Sequence, residues 1–212
     1  MFCSTSEVYG NVGMDGRKIH WEDSLMPSNP YGVSKAATDL YLQERFNNNF
    51  IKGFITRAFS HTGPRRGKNF SISSDAYQIA KMKLGLQDKN LLVGNLSTTR
   101  VVMDVRDTVN AYYLAMINSK VENEIFNICG DIPREMNYFT DKLIEISGLS
   151  DVVKKKYQPF WRPHEIYYQH GDSTNLIEAT GFNEKYNIDQ TLSDLLEYCL
   201  LYTSPSPRDR NV

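Results

Sequence analysis

Apolar residues along this chain fall into two alternating patterns. Short runs rich in β-branched and aromatic residues, at 51–58, 91–93, 101–105 and 124–128, predict strands. Between them, apolar positions recur at helical spacing. Val33, Ala36, Ala37, Leu40 and Tyr41 outline a helix from Pro30 to about Arg45, opened by Ser28-Asn29-Pro30 and stopped by Asn47-Asn48-Asn49. Further helices are predicted over 72–87, ending near Gly85, from Asp107 to about Ile117, over 139–146 before Gly148, over 172–180 before Gly181, and from Leu192. Lys154-Lys155-Lys156 reads as a solvated charge run. Strands alternating with helices on this scale imply an α/β fold with a largely parallel sheet, whose ligands bind in loops at strand ends.

The composition of these 212 residues narrows the function classes. Lys plus Arg is 24 against 25 Asp plus Glu, a formal net charge of −1. With no basic stripe there is no electrostatic footprint for nucleic acid or for an anionic membrane. No apolar run approaches the ~20 residues that span a bilayer, and Met1-Phe2-Cys3-Ser4-Thr5 lacks the charged and apolar regions of a signal peptide. Cys3, Cys129 and Cys199 are far apart and form no CxxC pair, which argues against disulfides and a cysteine zinc site. His164-Glu165 is not followed by a second His at metal spacing. A cytoplasmic globular protein is expected.

The strongest chemical signal is Tyr31-Gly32-Val33-Ser34-Lys35. A tyrosine and a lysine at i and i+4 share one helix face, where the ammonium stabilises a phenolate and so makes a general base. The same spacing recurs at Tyr77 and Lys81 and at Tyr138 and Lys142, inside amphipathic helices where packing and a solvated face explain it. Tyr31 differs because a strand end, Ser4-Thr5-Ser6-Glu7-Val8-Tyr9-Gly10, precedes it. On an extended backbone Thr5 and Glu7 point to one face, where a hydroxyl could hold a substrate oxygen and a carboxylate could take a carbon-bound proton. The plainer alternative is a capped strand end with a solvated Glu.

These two segments together resemble the extended short-chain dehydrogenase/reductase (NAD-dependent epimerase/dehydratase) family acting on nucleotide sugars, nearest its GDP-mannose 4,6-dehydratase branch. Four later stretches continue the likeness in order. They are Arg57-Ala58-Phe59-Ser60-His61-Thr62-Gly63-Pro64-Arg65-Arg66, Val93-Gly94-Asn95-Leu96 with Arg100, Asp104-Val105-Arg106-Asp107, and Arg162-Pro163-His164-Glu165 with Gly171-Asp172 and Gly181-Phe182. The resemblance implies that Tyr31 takes the 4-hydroxyl proton as hydride leaves C4 for NADP, with NAD the alternative cofactor. It further implies that Lys35 holds the nicotinamide ribose, Thr5 bonds the 4-oxygen, and Glu7 removes the C5 proton before water leaves C6. His61 and Arg66 would hold NADP, and Arg100 and Arg162 the GDP moiety. The implied substrate is GDP-mannose and the product GDP-4-keto-6-deoxymannose, made by a full-length homo-oligomer.

Several residues depart from that branch. Ser60 stands where the dehydratases usually carry Asn, Thr62-Gly63 replaces their Glu-Ser, and Ser73-Ser74-Asp75 lacks a basic residue. A 4-epimerase or a 4-keto-6-deoxy-sugar reductase of the same family therefore stays open. No GxxGxxG joins a strand to a helix here, since Gly10, Gly13 and Gly16 lie in a polar, turn-like stretch. The expected fold class is the C-terminal part of a Rossmann-type parallel sheet plus a smaller mixed α/β substrate-binding domain. Residues 1–62 would close the dinucleotide-binding domain and 63–198 would hold the substrate region, interleaved with the last Rossmann strands. The helical pattern breaks after Tyr198, and Cys199 to Asp209 reads like a translated sequencing adapter, so 199–212 is expected to be a non-native tail. Alone, such a chain is expected to be inactive, at most binding a nucleotide sugar weakly.

Overall fold

A computed structural model describes residues 1–118, 121–160 and 164–203. Its strands are β1 (Phe2–Thr5), β2 (Ile55–Ala58), β3 (His61–Thr62), β4 (Asn90–Val93), β5 (Thr99–Val101), β6 (Met103–Asp104), β7 (Ile125–Ile128), β8 (Pro133–Glu135), β9 (Val153–Lys156) and β10 (Tyr168–Gln169). Its helices are α1 (Pro30–Asn47), α2 (Ser71–Lys83), α3 (Val105–Ile117), α4 (Met136–Ser147), α5 (Thr174–Thr180) and α6 (Ile188–Thr203). The chain divides into two interleaved compact units. One holds Met1–His61, Thr98–Arg134 and Pro163–Tyr186, and the other Thr62–Ser97, Glu135–Arg162 and Asn187–Val212.

The first unit is built on a parallel sheet in the order β1-β2-β7, with Phe2 opposite Ile55 and Ile55 opposite Ile125. Every residue of β2 and β7 is buried, as expected for parallel strands covered on both faces. The pleat sends alternate residues to opposite faces. Ile55 and Ile125 pack with Phe46 of α1. Ala58, Phe126 and Ile128 join Ala111 and Ala115 of α3 and Leu176 of α5 in a separate cluster. Helices thus cover both sides of the sheet, in agreement with the expected Rossmann-type α/β class.

In the second unit, α2, α4 and α6 pack on one another through Ile72, Ala76, Ile79, Phe139, Leu143, Leu192 and Leu195. Strands β4 and β9 pair in parallel beside them. The Gln78 side chain of α2 closes the edge of β4, donating to the Leu92 carbonyl at 3.0 Å and accepting from the Leu92 amide at 2.9 Å.

Several predicted boundaries are corrected. The strand expected over 51–58 begins only at Ile55, and the run expected over 101–105 breaks into β5 and β6. Helix α3 starts at Val105 rather than Asp107, because Asp104 caps it by accepting from the Arg106 amide at 2.7 Å. Asp107 instead accepts from the backbone amides of Lys185 and Tyr186 at 3.1 and 3.0 Å. The lysine run 154–156 lies in strand β9; Lys155 and Lys156 are exposed, as a solvated run requires, while Lys154 bonds Asn137 and Asp141. Helix α6 continues past Tyr198 to Thr203, with Cys199 buried. None of the helices among the described residues is long and apolar enough to cross a membrane.

Candidate active site

The site is assembled where β1 ends. Thr5 is the last residue of the strand, and its Oγ1 accepts from the Glu7 amide at 3.3 Å, turning the chain into a single 3₁₀ turn over Ser6–Tyr9. The extended-backbone expectation for Thr5 and Glu7 is therefore corrected, since the backbone leaves the strand at Thr5. Glu7 is brought near by the turn instead. Gly10 ends the turn at φ 56, a conformation that favours glycine, and a Cβ there would lie 2.1 Å from the Met26 carbonyl oxygen.

Glu7 is not a solvated side chain on a strand end. It is half-buried, and its Oε2 accepts from the Asn29 amide at 2.6 Å. Asn29 caps α1 through its other end, Oδ1 accepting from the Gly32 amide at 2.8 Å. Pro30 in the first turn needs no hydrogen-bond partner there. Tyr31 follows with 54% of its surface exposed. One turn on, Lys35 donates from Nζ to the Cys3 carbonyl at 2.8 Å, and the same nitrogen lies 6.0 Å from the centre of the Tyr31 ring. The turn after β1 and the first turns of α1 thus gather Thr5, Glu7, Tyr31 and Lys35 within one unit.

A buried polar network behind the turn escaped the sequence reading. Arg57, 1% exposed, pairs with the fully buried Asp39 of α1 through Nε and Nη2 at 2.9 and 2.8 Å. Its Nη1 donates to the Tyr9 hydroxyl at 2.8 Å, and that hydroxyl donates to Asn127 at 2.7 Å. Burial pushes the Tyr9 phenol up to about 12 despite the neighbouring guanidinium, so Tyr9 is a neutral relay rather than a base. Gln169 clasps the turn from another side, accepting from the Ser6 hydroxyl at 3.1 Å and donating to the Ser6 carbonyl at 3.0 Å. Tyr9 and Arg57 stand in the motifs quoted above, but nothing local to either announced this pairing.

The remaining candidates are more dispersed. His61 is partly buried, with Nδ1 3.0 Å from the Phe59 carbonyl. Arg100 is not a solvated loop arginine. It is 9% exposed, hydrogen-bonded to the Thr99 and Ile166 carbonyls, and 3.7 Å from the Glu165 carboxylate. Arg66 belongs to the second unit, its guanidinium 3.5 Å above the Phe70 ring. Arg162 lies outside the described residues. Of the recurring Tyr and Lys pairs, Tyr77 and Lys81 line a cavity of about 450 Å³ in the second unit, with Gln78, Leu92 and Phe160. Lys142 is engaged by Glu145 and Asp189. Among the described residues, no group of three or more His, Cys, Asp or Glu side chains is arranged to hold a metal ion.

Comparison with known proteins places this geometry among relatives. Residues 1–195 match the family model described as GDP-mannose 4,6 dehydratase. GDP-6-deoxy-D-mannose reductase of Pseudomonas aeruginosa is 31% identical over 198 residues, covering 92% of this chain and 64% of the reductase. GDP-mannose 4,6 dehydratase 2 of Arabidopsis thaliana is 25% identical over 179 residues, covering 81% of this chain and 45% of the plant protein. The solved structure of RMD from Pseudomonas aeruginosa complexed with NADPH superposes with a TM-score of 0.86 at 28% identity, covering 94% of this chain and 66% of that one. The chain thus spans less than two thirds of the length of these two curated relatives.

Proposed function

The chain belongs to the GDP-mannose 4,6 dehydratase family, and from that premise we propose that the whole protein converts GDP-mannose to GDP-4-keto-6-deoxymannose. What supports this reading is that the turn bearing Thr5 and Glu7 is tied to the first turns of α1, which bear Tyr31 and Lys35, by the Asn29–Glu7 and Lys35–Cys3 hydrogen bonds. Tyr31 takes the proton of the sugar 4-hydroxyl as a hydride leaves C4, and Thr5 donates a hydrogen bond to the 4-oxygen. NADP, held by Lys35, His61 and Arg66, would supply the hydride acceptor at C4 and the hydride donor at C6. The C4 ketone acidifies the neighbouring C5–H, and Glu7 removes that proton. The C6 hydroxyl then leaves as water, taking from Glu7 the proton removed from C5, and a double bond forms between C5 and C6. The product would be completed by the hydride at C6 and by a proton at C5 that balances the one Tyr31 took from the 4-hydroxyl.

The residues present suit a dinucleotide. A lysine ammonium has three N–H donors, and Lys35 commits one to the Cys3 carbonyl, which holds the charge beside Tyr31. Its remaining donors suit ribose hydroxyls. His61 and Arg66 would bind elsewhere along NADP, with NAD the alternative, and Arg100 and Arg162 would bind the GDP moiety. The relative solved with NADPH supports the choice of cofactor.

Glu7→Gln in the whole protein, assayed with NADP and GDP-mannose, is the test. It is expected to abolish water loss while leaving reduction of the bound cofactor. Water loss at the wild-type rate in this variant would overturn the role of Glu7, and unaltered GDP-mannose in the wild-type assay would overturn the dehydratase reading. A second reading, reduction of a GDP-4-keto-6-deoxy sugar, is favoured by the 31% identical reductase. It uses Tyr31, Lys35 and Thr5 but no C5 base, so NADPH oxidation by the keto sugar would then survive Glu7→Gln.

A further inference from the structure

We propose that Asn29 is a positioning residue for the reaction, its side-chain amide holding the Glu7 carboxylate at a set reach from Tyr31. This rests on the reading of Glu7 as the C5 base.

Glu7 and Tyr31 come from different elements, and Asn29 joins them with both ends of one amide. Oδ1 accepts from the Gly32 amide at 2.8 Å, and Nδ2 donates to Glu7 Oε2 at 2.6 Å. The two bonds fix the amide orientation, because a flip would set N–H against N–H and oxygen against oxygen. The backbones are equally close. A Cβ on Gly32 would stand 2.7 Å from the Glu7 carbonyl oxygen, so the first turn of α1 rests directly on the turn that carries the carboxylate. Capping alone does not explain this choice of residue. Asp caps a helix about as well as Asn, and Gly costs only a few tenths of a kcal/mol. Neither supplies an N–H to a carboxylate. Asparagine satisfies the helix end and a carboxylate acceptor at once.

The test is the pair Asn29→Asp and Asn29→Gly in the whole protein loaded with NADP, beside Glu7→Gln. Three quantities are read: the single-turnover rate of C4 oxidation, kcat and KM for water loss from GDP-mannose, and the thermal midpoint. Both Asn29 variants are expected to slow water loss roughly 10- to 100-fold with KM little changed, and to slow C4 oxidation far less. Wild-type kcat in both Asn29 variants, or equal slowing of oxidation and water loss, would overturn the assignment. Water loss surviving Glu7→Gln would instead overturn the base reading itself, and that single variant shows which of the two has failed.

Discussion

Arg57 and Asp39 are both fully buried, and their charges are matched by a two-point guanidinium–carboxylate contact at 2.9 and 2.8 Å. Removing one partner strands the other charge in a medium that solvates it poorly. Asp39→Ala is therefore expected to cost about 3–5 kcal/mol of stability, read as a large drop in denaturation midpoint. An unfolding free energy within about 0.5 kcal/mol of wild type would show that the pair is not structural. The network also shows what the sequence left illegible at this scale. Arg57 was noted only as the start of a motif, because its partners lie 18 and 48 positions away. Tyr31 and Lys35 were legible because a helix brings i and i+4 together without tertiary help. The reach of Glu7 was read for the wrong reason, as strand alternation, when Thr5 capping and Asn29 set it.

Among elements, helices were read more faithfully than strands. Apolar periodicity, Asn29-Pro30, and the left-handed glycines Gly85, Gly148 and Gly181 each mark an end that the structure keeps within a few residues. Strand β9 was missed because Val153-Lys154-Lys155-Lys156 is mostly exposed, and only its pairing with β4 makes it a strand. Helix α3 began early because either Asp104 or Asp107 would serve as a cap by sequence. Between α2 and α4, Thr140 donates to the buried Asp75 carboxylate at 2.7 Å. Burial pushes the Asp75 carboxyl up to about 7, although the Thr140 bond and the Lys154 charge both pull it down. The folded carboxyl thus holds its proton more tightly than the unfolded one. Its contribution to stability is complete below the unfolded value of about 3.9 and is lost as pH rises through about 7. Wild-type melting temperature is expected to fall between about pH 4 and pH 7 relative to Asp75→Asn, which keeps an acceptor for Thr140 but does not titrate. Parallel curves for the two proteins would contradict this origin of the pH dependence.

At the scale of the molecule, order along the chain was the most legible property. The motifs from Ser4-Thr5-Ser6-Glu7 to Gly181-Phe182 run in the sequence expected of the family, and the family match covers residues 1–195. Division into two units was less legible, because each unit is stitched from three separate segments and no linker composition marks the crossings. The dispersal of Arg66 into the second unit follows from that interleaving. Choice of reaction depends on the site rather than the fold, since a reductase and dehydratases share the same frame. The most direct measurement is to feed the whole protein GDP-mannose deuterated at C4, with NADP, and to locate the label in the product. Deuterium is expected at C6 of GDP-4-keto-6-deoxymannose, with turnover lost in Tyr31→Phe. Unchanged GDP-mannose, product without the label at C6, or wild-type turnover in Tyr31→Phe would contradict the assignment of Tyr31 and its neighbours to hydride exchange at C4.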